Sequence, residues 1–146
     1  MLLARAAGEP ARAVAMARSL LPQFEVELKA KPDSHDLWHF KALVLAVLGQ
    51  ERLALESQAK AVAGAGKSGN LYMAELVRRD GVSVHALLGQ RDKALEMLRD
   101  EVKRPGALIH DRRVSLMLAS LWDDPDFLAI VNDPASVAPL PLTTKL

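Results

Sequence analysis

The chain has 146 residues with 19 basic and 18 acidic side chains, a net charge of +1, half its residues hydrophobic, 4% aromatic and no cysteine. That length suits one core-bearing domain; the charge balance gives no field that would draw the chain to nucleic acid or an anionic membrane. Without cysteine there is no disulfide, thiolate metal site or cysteine nucleophile, which is compatible with a reducing cytosol, so the expected location is cytoplasmic.

Few aromatics leave Leu, Ala and Val to build the core, and that composition favours closely packed helices over sheets. No apolar run reaches the roughly 18–20 residues that a membrane span needs. The first predicted element is amphipathic: Arg5, Arg12 and Arg18 interrupt any secretory apolar core between Met1 and Leu21, and Glu9 adds an acid. Gly8, followed five residues later by Ala13, opens a pattern that recurs at Gly49 to Ala54 and Gly89 to Ala94, with the glycines 41 and 40 residues apart. The later copies align closely: Ala46-Val47-Leu48-Gly49-Gln50-Glu51-Arg52-Leu53-Ala54-Leu55-Glu56 against Ala86-Leu87-Leu88-Gly89-Gln90-Arg91-Asp92-Lys93-Ala94-Leu95-Glu96. Each glycine reads as a left-handed helix stop leading into a second helix, so each marks a hairpin.

The first hairpin, residues 1–30, is partial, because its leading helix is only Met1 to Ala7; a chain cut from something longer is expected. The second, 33–65, starts at Pro32 with Asp33 as cap and Asp36 three residues on. Trp38, Ala42 and Leu45 form its apolar stripe, and Leu53, Ala54, Ala61 and Val62 line the return. Residues 63–70, Ala-Gly-Ala-Gly-Lys-Ser-Gly-Asn, read as a lengthened linker. The third hairpin spans 70–103. A C-terminal cap, 107–134, carries Trp122, Pro125 and Phe127, with Asp124 as a helix N-cap ahead of Pro125. Residues 135–146, with Pro139 and Pro141, are expected to be an extended tail, and Thr144-Lys145-Leu146 only faintly resembles a peroxisomal address.

Trp38, Ala42, Leu45, Gly49, Ala54 and Ala61 resemble the tetratricopeptide repeat (TPR) position by position. In the next copy Gly89 and Ala94 match, while Arg78, Val82, His85 and Glu101 replace the Trp, small, bulky and second small residues. The run around Trp122, Asp124, Pro125 and Phe127 is similar to the segment closing the TPR tails of bacterial multi-domain regulators. The resemblance covers about residues 33–134 and implies an all-α superhelix of α-α hairpins with a C-terminal helical cap. It further implies a non-catalytic protein-interaction or regulatory scaffold whose concave groove is lined by Asp36, His39, Leu43, Val47 and Gln50 from one hairpin and Arg79, Ser83, Leu87 and Gln90 from the next. For any one of these, contact with a neighbouring helix or with water is the competing reading.

Chemistry-bearing motifs are few. Ala61-x-x-x-x-Gly66-Lys67-Ser68 fits a permissive phosphate-loop pattern, but polar helical sequence precedes it and Gly69-Asn70 interrupts any helix after it. His35 and His39 share a helix face in the spacing of zinc peptidases, with Asp36 where a Glu base would stand and no third ligand in a supporting motif. These pairs define the alternative, a small nucleotide- or metal-binding enzyme using Lys67 and Ser68 or His35 and His39. His85 and His110 lack a nucleophile elbow or oxyanion loop and read as packing or surface residues; Asp123, Asp124 and Asp126 read as capping. Arg78-Arg79, Lys103-Arg104 and Arg112-Arg113 read as solvated helix faces. The expected chain is not an enzyme, needs no cofactor or metal, contacts neither nucleic acid nor membrane, and binds a protein or peptide; the exposed edge of its short first hairpin offers a homodimer contact.

Overall fold

The computed structural model describes residues 1–67, 69–103, 112 and 114–133. Among them every regular element is helical: α1 (Leu2–Ala6), α2 (Pro10–Ala30), α3 (His35–Val47), α4 (Glu51–Lys67), α5 (Leu71–Leu87), α6 (Arg91–Val102), a 3₁₀ helix (Leu116–Leu121) and α7 (Pro125–Asn132). None of these helices is long and apolar enough to cross a membrane. Ser68, His110, Arg104, Arg113 and the 135–146 tail lie outside the described residues.

The recurrent glycines stop helices in one geometry. Gly49 has φ 69° and Gly89 φ 75°. In both turns the next amide reaches back to a carbonyl five residues earlier, Gln50 N to Leu45 O and Gln90 N to His85 O, each at 2.9 Å. This double closure satisfies carbonyls that a helix end would otherwise strand. Gly8 repeats it, with Glu9 N on Ala4 O at 2.8 Å.

Three local expectations are corrected. Ser34, not Asp33, caps α3, its hydroxyl accepting from Leu37 N, while Asp33 takes Lys67 Nζ at 2.7 Å. Residues 63–67 are the last turn of α4 and not linker: Ala65 is fully buried and keeps the helix against its neighbours. Gly64 allows this, because a Cβ there would stand 2.8 Å from the Asp33 carbonyl oxygen. Leu53 is exposed and does not line the return of its hairpin. Asn70 then caps α5, accepting from Met73 N at 3.1 Å.

The hairpins stack in order, with α2 on α3, α3 on α4, α4 on α5 and α5 on α6, and α3 also lies beside α5. Fully buried Ala17, Ala42, Ala54, Ala61 and Ala94 let these backbones approach closely. One core joins α1, α2, α3 and the end of α5; a second joins α5, α6, the 3₁₀ helix and α7 around buried Phe127, with Trp122 at its edge. Trp38 serves a smaller cluster with Ala61, Ala65 and Val77, donates from Nε1 to Pro32 O at 2.7 Å, and has Lys60 Nζ 4.3 Å from a ring centroid.

The first helix meets a late segment of the chain. α1 packs on the 3₁₀ helix, and Arg5 Nη2 donates to Leu87 O, at the close of α5, at 2.8 Å. The first helix of each hairpin and the 3₁₀ helix thus gather on one side, and α1 fills one end of the space between them.

Candidate binding groove

Together with the start of α1 at Leu2, α2, α3, α5 and the 3₁₀ helix surround a cavity of about 390 Å³. Its wall is almost entirely apolar: Leu20 and Phe24 from α2, Phe40, Leu43 and Val44 from α3, Leu76 and Val77 from α5, with Met1, Met73 and Met117. Methionine adapts to irregular shapes, which suits a surface that closes on a ligand. Phe40 remains 52% exposed, a large apolar ring in the wall of the cavity.

The polar lining consists of Asp36, His39 and Asp80. Asp36 sits exposed on the first turn of α3. His39 Nδ1 lies 2.8 Å from Oε1 of Gln58, whose amide nitrogen donates to Val77 O at 2.7 Å. Gln58 is only 8% exposed, so α4 fixes this side chain between α3 and α5. Asp80 Oδ1 accepts from Arg112 Nη1 at 3.3 Å, and Arg112 makes a two-pronged ion pair with Glu101 at 3.1 and 3.2 Å. Glu101 occupies a slot where the repeat pattern has a small residue, and the buried guanidinium neutralises it.

The nine residues expected in the groove separate. Asp36, His39 and Leu43 come together at the cavity. Leu43, Val47, Ser83 and Leu87 are buried, which makes the last three packing positions that a partner does not reach in this conformation. Arg79 is turned onto Glu75 at 3.2 Å. Gln50 belongs to a separate recess with Trp38 and Lys41, and Gln90 bridges His85 and Glu51 at the second hinge. On α5 the cavity is lined by Met73, Leu76, Val77 and Asp80, a face that includes one earlier turn and is rotated from the expected one. Their i, i+3, i+4, i+7 spacing is the available sequence signal. The degenerate copy, with Arg78 in place of Trp, gave that helix no anchor for its register.

The other motifs fall elsewhere. Lys67 ends α4 and pairs with Asp33, so it stands at the carbonyl end of a helix, opposite to the amide end that cradles phosphate. Among the described residues no three His, Asp or Glu side chains assemble into a metal-holding group. Asp124 caps α7 through the amides of Asp126 and Phe127, at 2.9 and 3.3 Å, and Arg91 grips both Asp124 and Asp126. The Asp124 carboxyl is held below its ordinary value, first by the Arg91 hydrogen bond and then by those amides.

No protein-family model, curated protein or solved structure matches the chain.

Proposed function

We propose that the chain is a TPR-like, non-catalytic interaction module that holds a protein or peptide segment in the trough between α3 and α5. The observation that carries this reading is the apolar cavity with the half-exposed Phe40 ring in its wall. A groove of this kind, between helices whose backbone groups are already satisfied, recognises a partner through side chains, and an amphipathic helix is the natural occupant. The repeated glycine turn supports the TPR-like description, and the polar lining, Asp36, His39 and Asp80, brings no Ser, Thr or Lys nucleophile beside its acceptor groups.

The absence of cysteine supplies a direct test. Phe40→Cys places a single thiol at the groove, and a bulky maleimide attached there covers it. A random-peptide display library selected on the wild-type chain should yield binders that the blocked variant no longer holds. Binders that the block leaves untouched would place recognition on another face. A second reading, a homodimer through the first hairpin, draws on exposed Leu3 and Val26; a molar mass by light scattering that doubles with concentration and falls back in Leu3→Lys would favour it.

A further inference from the structure

We infer that the groove takes an amphipathic helix carrying Lys or Arg beside its bulky apolar residues, and rejects one flanked by Asp or Glu. This rests on reading the groove as a binding trough, and adds the chemistry of what fills it. The argument begins at Gln58. A backbone carbonyl only accepts, so the group Gln58 turns to Val77 O at 2.7 Å is its NH₂. Its oxygen therefore faces His39 Nδ1 at 2.8 Å, and that nitrogen must carry the hydrogen. In the neutral ring Nε2 is then a bare acceptor, without a partner among the described residues. A second-layer amide thus selects the tautomer of a residue lining the cavity.

All three polar groups of the lining now have one character. In its neutral form the His39 ring offers a lone pair, and Asp36 and Asp80 offer carboxylates; no Lys or Arg lines the cavity. The amino group of Met1 is turned to Met16 Sδ, and Arg112 is shared between Asp80 and Glu101. An apolar trough whose polar side chains are all acceptors leaves a ligand carboxylate placed beside Asp36 or Asp80 unpaired against like charge, while a flanking ammonium or guanidinium finds Asp36 at the lip. Asp36 is exposed and the floor is apolar, so the ligand must change from charged to apolar across its own width. A helix with one apolar stripe and basic flanks meets that demand.

The test uses three synthetic peptides of about 14 residues with Leu at helical spacing and flanks of Lys, Gln or Glu, plus dodecylamine as a non-peptide cation. Fluorescence anisotropy should show the Lys peptide bound, the Gln peptide weaker and the Glu peptide weakest. Asp36→Asn, on an exposed site, should narrow the Lys-over-Gln preference by about threefold, the scale of one solvated carboxylate. Nitrogen-15 shifts of His39 should report Nδ1–H in the wild type and move toward the other tautomer in Gln58→Met, a readout that packing alone would not move. Equal binding of the Glu peptide, a Lys preference that Asp36→Asn leaves unchanged, Nε2–H in the wild type, or binding of dodecylamine alone would overturn the inference. If these fail while maleimide at residue 40 still displaces display-selected peptides, the trough reading stands and only its ligand class falls; if the block displaces nothing, both fall.

Discussion

Gly64 sits inside α4, where intrinsic propensity favours alanine by about 1 kcal/mol. The neighbouring Asp33 carbonyl reverses that preference, because the added carbon would lie 2.8 Å from a backbone oxygen that cannot swing aside. Overpacking of this sort costs about 1–3 kcal/mol, so Gly64→Ala is expected to lower stability in urea denaturation by about 1 kcal/mol net; a rise would show that α3 and α4 separate easily. Glu101 and Arg112 pose a larger contrast. Both are under a tenth exposed, and Glu101→Ala leaves the guanidinium with Asp80 alone among its described carboxylate partners, a loss of about 3 kcal/mol. The double variant Glu101→Leu, Arg112→Met removes both buried charges and should recover most of it, while the released Asp80 reaches solvent at the cavity. A double variant as unstable as the single one would mean that the pair contributes by shape and not by charge.

Helices differ in how plainly their ends are written. The hinges at Gly49 and Gly89 were legible because only glycine takes that turn without strain, and the Asp124 cap was legible because an acid before proline has few other uses. The end of α4 was not, since Ala-Gly-Ala-Gly looks like linker until Asp33 is placed beside it. The face that α5 turns to the cavity is hidden for a related reason: with Arg78 where the second hairpin has Trp38, Val82 packs in the core of α6, the 3₁₀ helix and α7 while Val84 packs in that of α1, α2 and α3, a division no local pattern shows. The His39–Gln58–Val77 link was invisible because its members come from three helices. At the C-terminal cap, Arg91 holds Asp124 below its ordinary titration range, so this contact stabilises the folded state above that range and weakens as pH falls through the lowered value. Asp124→Asn should therefore be less stable than the wild type at neutral pH, and the gap should shrink only below about pH 3.9. Parallel urea curves across acid pH check this; a gap that closes nearer pH 6 would assign the effect to another group.

Across the whole molecule, the contact between α1 and the 3₁₀ helix sets it apart from an open stack of hairpins. In an open stack each hairpin touches only its neighbours, and terminal units fray before the middle melts. Here the first helix lies against a segment over a hundred residues later, and Arg5 ties it to the end of α5 at Leu87. Loosening α1 or the 3₁₀ helix therefore uncovers the same core, which contains Ala4, Leu87 and Met117, so both should melt with the middle. The two tryptophans report on this separately: Trp38 stands in the second hairpin and Trp122 beside the last helix. In Trp122→Phe and Trp38→Phe variants, the remaining fluorophore should give a urea midpoint that coincides with the circular dichroism of the same variant. Arg5→Ala leaves the Leu87 carbonyl without that donor and should lower stability by about 1 kcal/mol while keeping the transitions coincident. If Trp122 emission shifts well before the helical signal of its own variant, the cap melts alone and the molecule behaves as an open stack after all.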